Sequence, residues 1–177
     1  DNAIKDMLTE EDSKFLTAVN AALTGADTVV PQSGVVQWET IAGGITRDTV
    51  EDAFKIMPRT PSHLEVQKVL VNNITIREVL KWGRDEVGGD LSQDLLKNGW
   101  TLENFMGAQW IITIKRTLVA DDEMFMFGDE RFMGKFFVLE DSTMYIDRKA
   151  FMLEFFCYES IGSGIGNTSS LARASFT

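Results

Sequence analysis

The second half of the chain constrains the fold most, because it contains a succession of short apolar segments separated by turns. Short apolar runs that are bounded by turn-forming residues predict strands. This half also holds few side chains suited to catalysis, so it indicates a scaffold rather than a reaction centre. The strand candidates are residues 107–114 (GAQWIITI), 124–127 (MFMF), 136–139, 144–146 and 151–158.

Length and composition favour one folded unit. Residues 1–177 are expected to form a single unit, because domains most often run to about 100–150 residues. The 44% hydrophobic and 25% charged content is typical of a globular protein. The net charge of −10 disfavours sequence-specific binding to nucleic acid, which depends on clustered Lys and Arg. No apolar run reaches the ~18 residues of a membrane span, so no membrane partner is expected.

An amphipathic helix is predicted over residues 9–23. Thr9 is the expected N-cap, since its hydroxyl can accept a hydrogen bond from a free amide while the acidic residues 10–12 favour the positive end of the helix. Gly25 is expected to end the helix. The apolar residues at helical spacing, which predict a buried stripe, are Phe15, Leu16, Val19, Ala22 and Leu23.

The segments that follow alternate between helix and strand. A second helix is predicted to begin at Thr46 and to end before Pro58, because the residue before a proline avoids the helical region. Asn73 is the expected N-cap of a third helix. The other predicted elements are a connection over residues 26–44 with a short strand near Trp38, a strand over 66–71, a loop over 83–89, a short helix over 90–97 and a polar-capped segment over 129–133.

Three features invite a chemical interpretation, and each is better explained by structure. Gly162, Gly164 and Gly166 resemble a phosphate-binding loop, but no long helix follows them, which favours a turn between two C-terminal strands. His63 is the single histidine and is interpreted as a surface loop residue. Cys157 is the single cysteine and is interpreted as a buried, unreactive thiol.

Two acidic clusters are also assigned structural roles. Carboxylates held close together can bind a metal or work as an acid–base pair. Residues 10–12 are better explained by helix capping, and residues 121–123 by a solvated hairpin tip. No metal or organic cofactor is therefore expected, and no residue is assigned a catalytic role.

The chain is rich in aromatic residues and methionine, with four Trp, twelve Phe and eight Met. Most of them are expected in the core, because burial of such side chains contributes strongly to stability. Some are expected at contacts between subunits, since aromatic residues and Met are enriched at interface centres. Trp82 and Trp100 flank residues 84–96 and are the candidates for a contact surface.

The order of parts along the chain resembles that of a known family. The segments that carry the resemblance are LTEEDSKFLTAVNAALTG, GGITRDTVEDAFKIM, KVLVNNITIREVLKWG, GAQWIITIK, FMFGDERFMGKFFVLED and AFMLEFFCYESIGSGIGNTSSLARASF. Together they resemble the shell-forming part of the major capsid proteins of tailed bacteriophages, the Hong Kong 97-like fold that encapsulins share. The resemblance covers most of the chain and rests on this order rather than on a single signature.

The resemblance implies an α+β wedge with a spine helix, which would include residues 9–23. Residues 1–72 and 128–177 would form a peripheral domain, and residues 73–127 a strand-rich axial domain. Many copies would assemble as pentamers and hexamers into an icosahedral shell around double-stranded DNA. The implied location is the virion capsid, assembled in the host cytoplasm, with other virion proteins as partners and with DNA held only non-specifically.

The chain departs from the family pattern at its beginning. Members normally carry an N-terminal arm and an extended hairpin loop before the spine helix, and this chain begins too late to contain them. It also begins with Asp1 rather than Met, which suggests a piece of a longer protein.

Charged side chains are expected at the subunit contacts that the resemblance places around the capsomer axes. Subunits around such an axis meet heterologously, so a basic group on one must face an acidic group on the next. Each exposed pair contributes only about 0–1 kcal/mol, but repetition makes assembly sensitive to salt. The candidates are the basic residues Arg84, Lys115 and Arg116 and the acidic residues Asp85, Glu86, Asp121 and Asp122.

Three other functions stay open. An encapsulin-like compartment shell would use the same kind of self-association. A small acidic α+β enzyme would use the loop carboxylates of Asp85, Glu86 and Asp90. A binding module for a phage or bacterial partner is the third. No enzymatic activity is expected, because the chain shows no constellation of Ser, His and Cys residues typical of nucleophilic catalysis.

Overall fold

The computed structural model describes residues 2–29, 37–82, 105–115 and 117–177, with the side chains of its first helix described from residue 5 to residue 23. These residues form helices and mixed sheets, which confirms the α+β class. The loop predicted over 83–89 and the helix predicted over 90–97 lie outside the described residues. In chain order the elements are α1 (Asn2–Val29), β1 (Trp38–Ile41), α2 (Arg47–Phe54), β2 (Lys68–Asn72), α3 (Thr75–Val79), β3 (Gln109–Thr113), β4 (Glu123–Phe127), α4 (Glu130–Met133), β5 (Gly134–Lys149), β6 (Met152–Ile165), a short 3-10 helix (Thr168–Ser170) and β7 (Leu171–Phe176).

A five-stranded mixed sheet in the order β1-β7-β4-β2-β3 lies at the centre. β1 pairs with β7, and β2 with β3, in parallel. β4 runs antiparallel to both of its neighbours, β2 and β7. The predicted strands over residues 66–71, 107–114 and 124–127 are therefore confirmed as β2, β3 and β4, with ends that differ by at most two residues.

Helices cover the sheet on both faces, and β4 shows why. Its sequence, EMFMF, is apolar on both faces, as expected of a central strand that is buried on both sides. Met124 and Met126 pack into a core that includes residues of α2 and α3. Phe125 and Phe127 pack into a second core on the opposite face, which α1 completes.

The helix α1 is longer than predicted at both ends. It begins at Asn2, so Thr9 is not an N-cap, and it continues through Gly25, so that glycine does not end it. In the helix interior the hydroxyl of Thr9 donates to the carbonyl oxygen of Lys5 at 2.8 Å. A helical Gly costs only about 1 kcal/mol relative to Ala, and the burial of an apolar stripe outweighs that cost.

The apolar stripe of α1 is the part of the helix prediction that is confirmed. Leu16, Val19 and Leu23 are buried against the sheet. Phe15 and Ala22 are half-buried at the edge of the same core. The ring of Phe15 lies 6.1 Å from that of Phe127, measured between centroids.

The sequence predicts the start of α2 correctly and places the N-cap of α3 one residue too early. Thr46 is the N-cap of α2, where its side chain accepts from the amide of Thr49. The N-cap position of α3 is Ile74 rather than Asn73, and the Asn72 Oδ1 accepts from the amides of Ile74 (2.9 Å) and Thr75 (2.7 Å). Asn73 was the wrong choice because β2 runs one residue further than predicted and its last side chain reaches the helix start.

Residues 121–123 do not form a hairpin tip, because β2 lies between β3 and β4 in the sheet. Asp121 accepts from the Asn72 amide group at 2.7 Å, and the amide of Asp122 donates to the Thr75 hydroxyl at 3.0 Å. Glu123 is part of β4 and pairs with a largely shielded cation, Arg173. The acidic segment is thus packed onto the start of α3 rather than fully solvated.

The side chain of Arg173, in β7, joins α1 to three strands of the sheet. Its guanidinium donates to Glu123 of β4 and to the Asn20 side chain of α1 at 3.1 Å. It also lies 4.0 Å from the ring centroid of Trp38 in β1. The side chains of Arg173 and Glu123 are only 13% and 17% exposed, so this ion pair is largely shielded from water.

The strands β5 and β6 form a separate long hairpin. The strands predicted over residues 136–139, 144–146 and 151–158 lie in this hairpin. Their strand type is confirmed, but the observed strands are longer. Gly162 and Gly164 lie within β6 opposite β5, so the predicted turn is wrong, and Gly166 alone lies beyond the strand. Gly134 is needed where the strands meet, because a Cβ there would lie 2.1 Å from the carbonyl oxygen of Gly164. Cys157 lies in β6 and is half-buried rather than buried.

Candidate subunit interface

The β5–β6 hairpin leaves most of its large apolar side chains uncovered. A two-stranded ribbon of this kind is marginally stable in water unless another surface packs against it. Monomeric proteins rarely expose a contiguous apolar patch of more than a few hundred Å². The exposed apolar side chains are Phe136, Phe137, Val138, Leu139, Met144, Ile146, Phe151, Met152, Leu153, Phe155 and Phe156.

The strand register sorts the outer half of the hairpin into two different faces. Ile146 lies directly opposite Phe155, so these two side chains share a face. Met144 lies two residues before Ile146 on β5, and Leu153 lies two residues before Phe155 on β6, so both are on the same face. We name these four residues, Met144, Ile146, Leu153 and Phe155, the apolar strip.

The opposite face of the outer hairpin carries polar groups that already have partners. The Tyr158 hydroxyl donates to the Glu140 carboxylate at 2.6 Å, which raises the pKa of that hydroxyl. The rings of Tyr145 and Tyr158 stack with centroids 5.7 Å apart. Nearer the tip, the Lys149 ammonium lies 2.9 Å from Glu154. This face therefore has its polar groups paired, although Met152 and Phe156 are also exposed on it, whereas the apolar strip shares its face with Arg148, which lies opposite Leu153.

The helix α1 covers the base of the face that carries the apolar strip. Cys157, Glu159 and Ile161 continue the alternation of that face along β6 and are half-buried beside the first turns of α1. Burial, together with the nearby carboxylate of Glu11, raises the pKa of Glu159. The covered part of the face therefore ends where the apolar strip begins.

A second apolar surface lies between α1 and the edge strand β3. It is a groove of about 350 Å³, and we name it the groove. Asp12 and Lys115 form an ion pair within it, with Nζ and Oδ2 2.7 Å apart. Ile114 is 80% exposed there. The apolar residues that line the groove are Phe15, Leu16, Leu70, Ile111, Ile112, Ile114, Leu118 and Val119.

The residues predicted from the sequence as interface candidates lie in different places. Lys115 lines the groove. Trp82 is half-buried on the core, where its indole nitrogen donates to the carbonyl oxygen of Ile45 at 3.1 Å. Asp121 and Asp122 lie in the loop before β4. Arg84, Asp85, Glu86, Trp100 and Arg116 lie outside the described residues. A role for these nine residues at an interface stays a prediction.

Little in the described residues is arranged for chemistry. His63 is exposed, as predicted, and its ring nitrogen lies 3.0 Å from the carbonyl oxygen of Pro58. Within the described ranges no three His, Cys, Asp or Glu side chains are grouped to hold a metal ion. No described helix combines the length and the apolar character needed to cross a membrane.

The sequence interpretation missed the apolar strip and the groove. The signal for the strip is the alternation in residues 144–147 (MYID) and 153–155 (LEF), which places apolar side chains on one face. The groove had no such signal, because α1 and β3 are far apart in the chain.

Comparisons with known proteins place the fold. No protein-family model matches the chain, and no curated protein matches it. A chain of the crystal structure of a virus-like particle from Pyrococcus furiosus superposes with a TM-score of 0.55 and 15% identity, over 81% of this chain and 61% of that one. A structure from Mycobacterium phage Che8 gives a TM-score of 0.55 and 15% identity, over 80% of this chain and 53% of that one. The chain thus spans between half and two thirds of these structures and shares a fold with a virus-like particle and a phage protein.

Proposed function

We propose that this chain is the structural subunit of a self-assembling shell and has no enzymatic activity. The observation that carries the proposal is the β5–β6 hairpin, whose apolar strip is uncovered while its opposite face has its polar groups paired. Water exposure of these side chains is unfavourable, at roughly 25 cal/mol for each Å² of apolar surface. A neighbouring subunit that covers the strip removes that cost.

The likeness of the fold to a virus-like particle and to a phage protein supports the same proposal. We take the finer form from the Hong Kong 97-like resemblance: a major capsid protein of a tailed bacteriophage. In that form pentamers and hexamers make an icosahedral capsid around double-stranded DNA, assembled in the host cytoplasm. Residues 1–72 and 128–177 would then be peripheral and residues 73–127 axial.

The charge of the chain bears on the contents of such a shell. A net charge of −10 repels phosphate backbones over long range, so DNA would be enclosed without tight binding. The charged contacts proposed at the capsomer axes would be exposed pairs, which salt screens. Lys115 already pairs with Asp12 of its own chain, so at an axis it would have to exchange that partner.

A compartment shell of the encapsulin type is the second candidate. The likeness of the fold to a virus-like particle from Pyrococcus furiosus supports it. Both candidates need the same self-association and differ in what the shell encloses. Nuclease-protected DNA in purified particles would indicate the capsid, and a protein cargo without DNA would indicate the compartment.

Assembly of the purified protein tests the proposal directly. We expect rings or shells by electron microscopy and fast-sedimenting species by analytical ultracentrifugation, with an amount that rises with protein concentration. A folded protein that stays monomeric over the whole accessible concentration range would contradict it. So would turnover of a substrate by such a monomer, since that would favour the alternative of a small enzyme.

A further inference from the structure

We infer that the tip of the β5–β6 hairpin of one copy docks into the groove of a second copy, with Phe151 as the inserted side chain. This inference rests on the proposed function, because it needs self-association. It names the two surfaces that meet, and it assigns a receptor role to the groove between α1 and β3.

The tip of the hairpin has the form of an apolar knob. Phe151 lies in the two-residue turn between Lys149 and Met152 and is fully exposed. Met152 beside it is also exposed. Ala150 has a φ of 49°, a left-handed conformation that a residue with a side chain rarely adopts. The turn is thus held in an unusual conformation at the point where it presents an apolar side chain to water.

The groove has the properties of a receptor for such a knob. Its volume of about 350 Å³ is bounded mostly by Leu, Ile, Val and Phe side chains. The polar residues among its described lining are Asp12, Thr113 and Lys115. Asp12 and Lys115 pair with each other, and the Thr113 hydroxyl accepts from the Lys115 amide at 3.1 Å. A polar ligand would find few free partners there, whereas an aromatic side chain would be covered on several sides.

The charges beside the knob complement those beside the groove. Lys149 directly precedes the turn, and Glu154 lies three residues after Phe151; their side chains pair with each other at 2.9 Å. Asp12 and Lys115 form the corresponding pair at the groove. On docking, Lys149 can face Asp12 while Glu154 faces Lys115, so each charge keeps an opposite partner. A ligand of one sign would instead leave one of the two groove charges unpaired.

The knob and the groove belong to different surfaces of the molecule, so this contact is heterologous. Such contacts close into rings or continue as open chains, depending on the rotation between neighbours. One Phe side chain buries about 150–250 Å², far less than the ~1,000 Å² that a stable interface needs. The apolar strip, which continues from the tip along the hairpin, supplies further surface for the same neighbour.

Disulfide trapping between two populations of the protein tests the contact. Both populations carry Cys157→Ala to remove the native thiol. One also carries Met152→Cys beside the intact Phe151, and the other carries Ile114→Cys in the groove. We expect a disulfide-linked dimer when the two populations are mixed and oxidised. The matched control replaces Ile114→Cys by Leu8→Cys, an exposed position on α1 outside the groove lining, and should give no such dimer.

Substitutions of the knob give a second, independent measurement. Phe151→Ser should raise the concentration needed for assembly by about tenfold or more, since tenfold corresponds to only about 1.4 kcal/mol. Phe151→Leu keeps an apolar knob and should assemble nearly as well as the wild type. Urea unfolding should show both variants folded, because the side chain is exposed in the single copy.

The outcomes separate this inference from the proposed function. Assembly of the wild type with no trapped dimer between tip and groove, or with Phe151→Ser assembling like the wild type, overturns the inference and leaves the shell proposal standing. A wild-type protein that stays monomeric overturns both.

Discussion

Replacement of one cross-strand pair in the apolar strip should strongly weaken assembly and leave the single copy folded. The pair is Ile146 and Phe155, which lie directly opposite each other on β5 and β6. We choose Ile146→Thr with Phe155→Thr, because Thr is a good strand former and Thr pairs across strands are tolerated. The variant removes apolar surface without disturbing the ribbon.

The expected magnitude follows from the exposure of the two side chains. Ile146 and Phe155 are 59% and 60% exposed, so well over half of each is available to a partner. Full burial of such a side chain contributes about 1.5–3 kcal/mol, which leaves about 1–2 kcal/mol for each at the interface. Loss of both costs about 2–4 kcal/mol for each contact, or roughly 30-fold to 1,000-fold in the association constant.

Two assays separate the effect on assembly from the effect on folding. Sedimentation velocity across a concentration series reports the association of the double variant and the wild type. Urea unfolding of the dilute protein reports the free energy of unfolding, which should change by less than about 1 kcal/mol because both positions are exposed in the single copy. The matched control is Tyr145→Thr with Phe156→Thr, the pair on the opposite face of the same hairpin.

Two results would refute this reasoning. Normal assembly of the strip variant would show that the apolar strip is not covered by a neighbour. An equal loss of assembly in the control variant would show that the two faces are not distinguished, so the argument from paired polar groups would fail.

Three further predictions concern the fold that positions these surfaces. Glu123→Ala should lower the free energy of unfolding in urea by about 2–4 kcal/mol, because Arg173 loses its shielded carboxylate. Adding Arg173→Met should restore part of that stability. A loss below about 0.5 kcal/mol would show that the pair of Glu123 and Arg173 does not stabilise the fold. Burial and Glu11 raise the pKa of Glu159, so the wild type loses stability as pH rises through that pKa. Glu159→Gln should be more stable than the wild type at neutral pH. The difference should vanish below about pH 4, where Glu159 is protonated in both the folded and the unfolded wild type. Equal stability of the two proteins at every pH would contradict this prediction. Phe15→Ala should cost about 2–4 kcal/mol, below the range for a fully buried Phe, and an unchanged melt would remove Phe15 from the core.

Sequence reasoning succeeded where the deciding interactions are local. The start of α2 depends on the Thr46 hydroxyl and an amide three residues away, and both can be recognised in the sequence. The apolar stripe of α1 and the buried β4 follow from spacing alone. The prediction of Asn73 as the N-cap of α3 failed because Asn72, the last residue of β2, accepts the first amides of the helix, and this depends on where the strand stops.

The hairpin predicted between β3 and β4 is wrong for a different physical reason. Consecutive strands often pair, so an acidic turn between them predicted a hairpin. In the structure β2 enters between them and bonds to both, which no local pattern records. The position of Arg173 depends on the same long-range topology, because β7 lies between β1 and β4 and brings this residue to Glu123.

The hairpin shows a disagreement between sequence and single-copy structure that association would resolve. The run over residues 151–158 (FMLEFFCY) predicts a strand, and Cys157 within it is predicted to be buried, yet α1 covers only the base of β6. The burial that the sequence predicts is therefore incomplete in one copy. A neighbouring subunit would complete it on the face of the apolar strip, whereas the other face has Tyr158 and Glu140 already bonded and leaves Phe156 and Met152 exposed. Cover of the strip by a neighbouring copy is what the proposed self-association expects of this element, and the strip variant described above tests it.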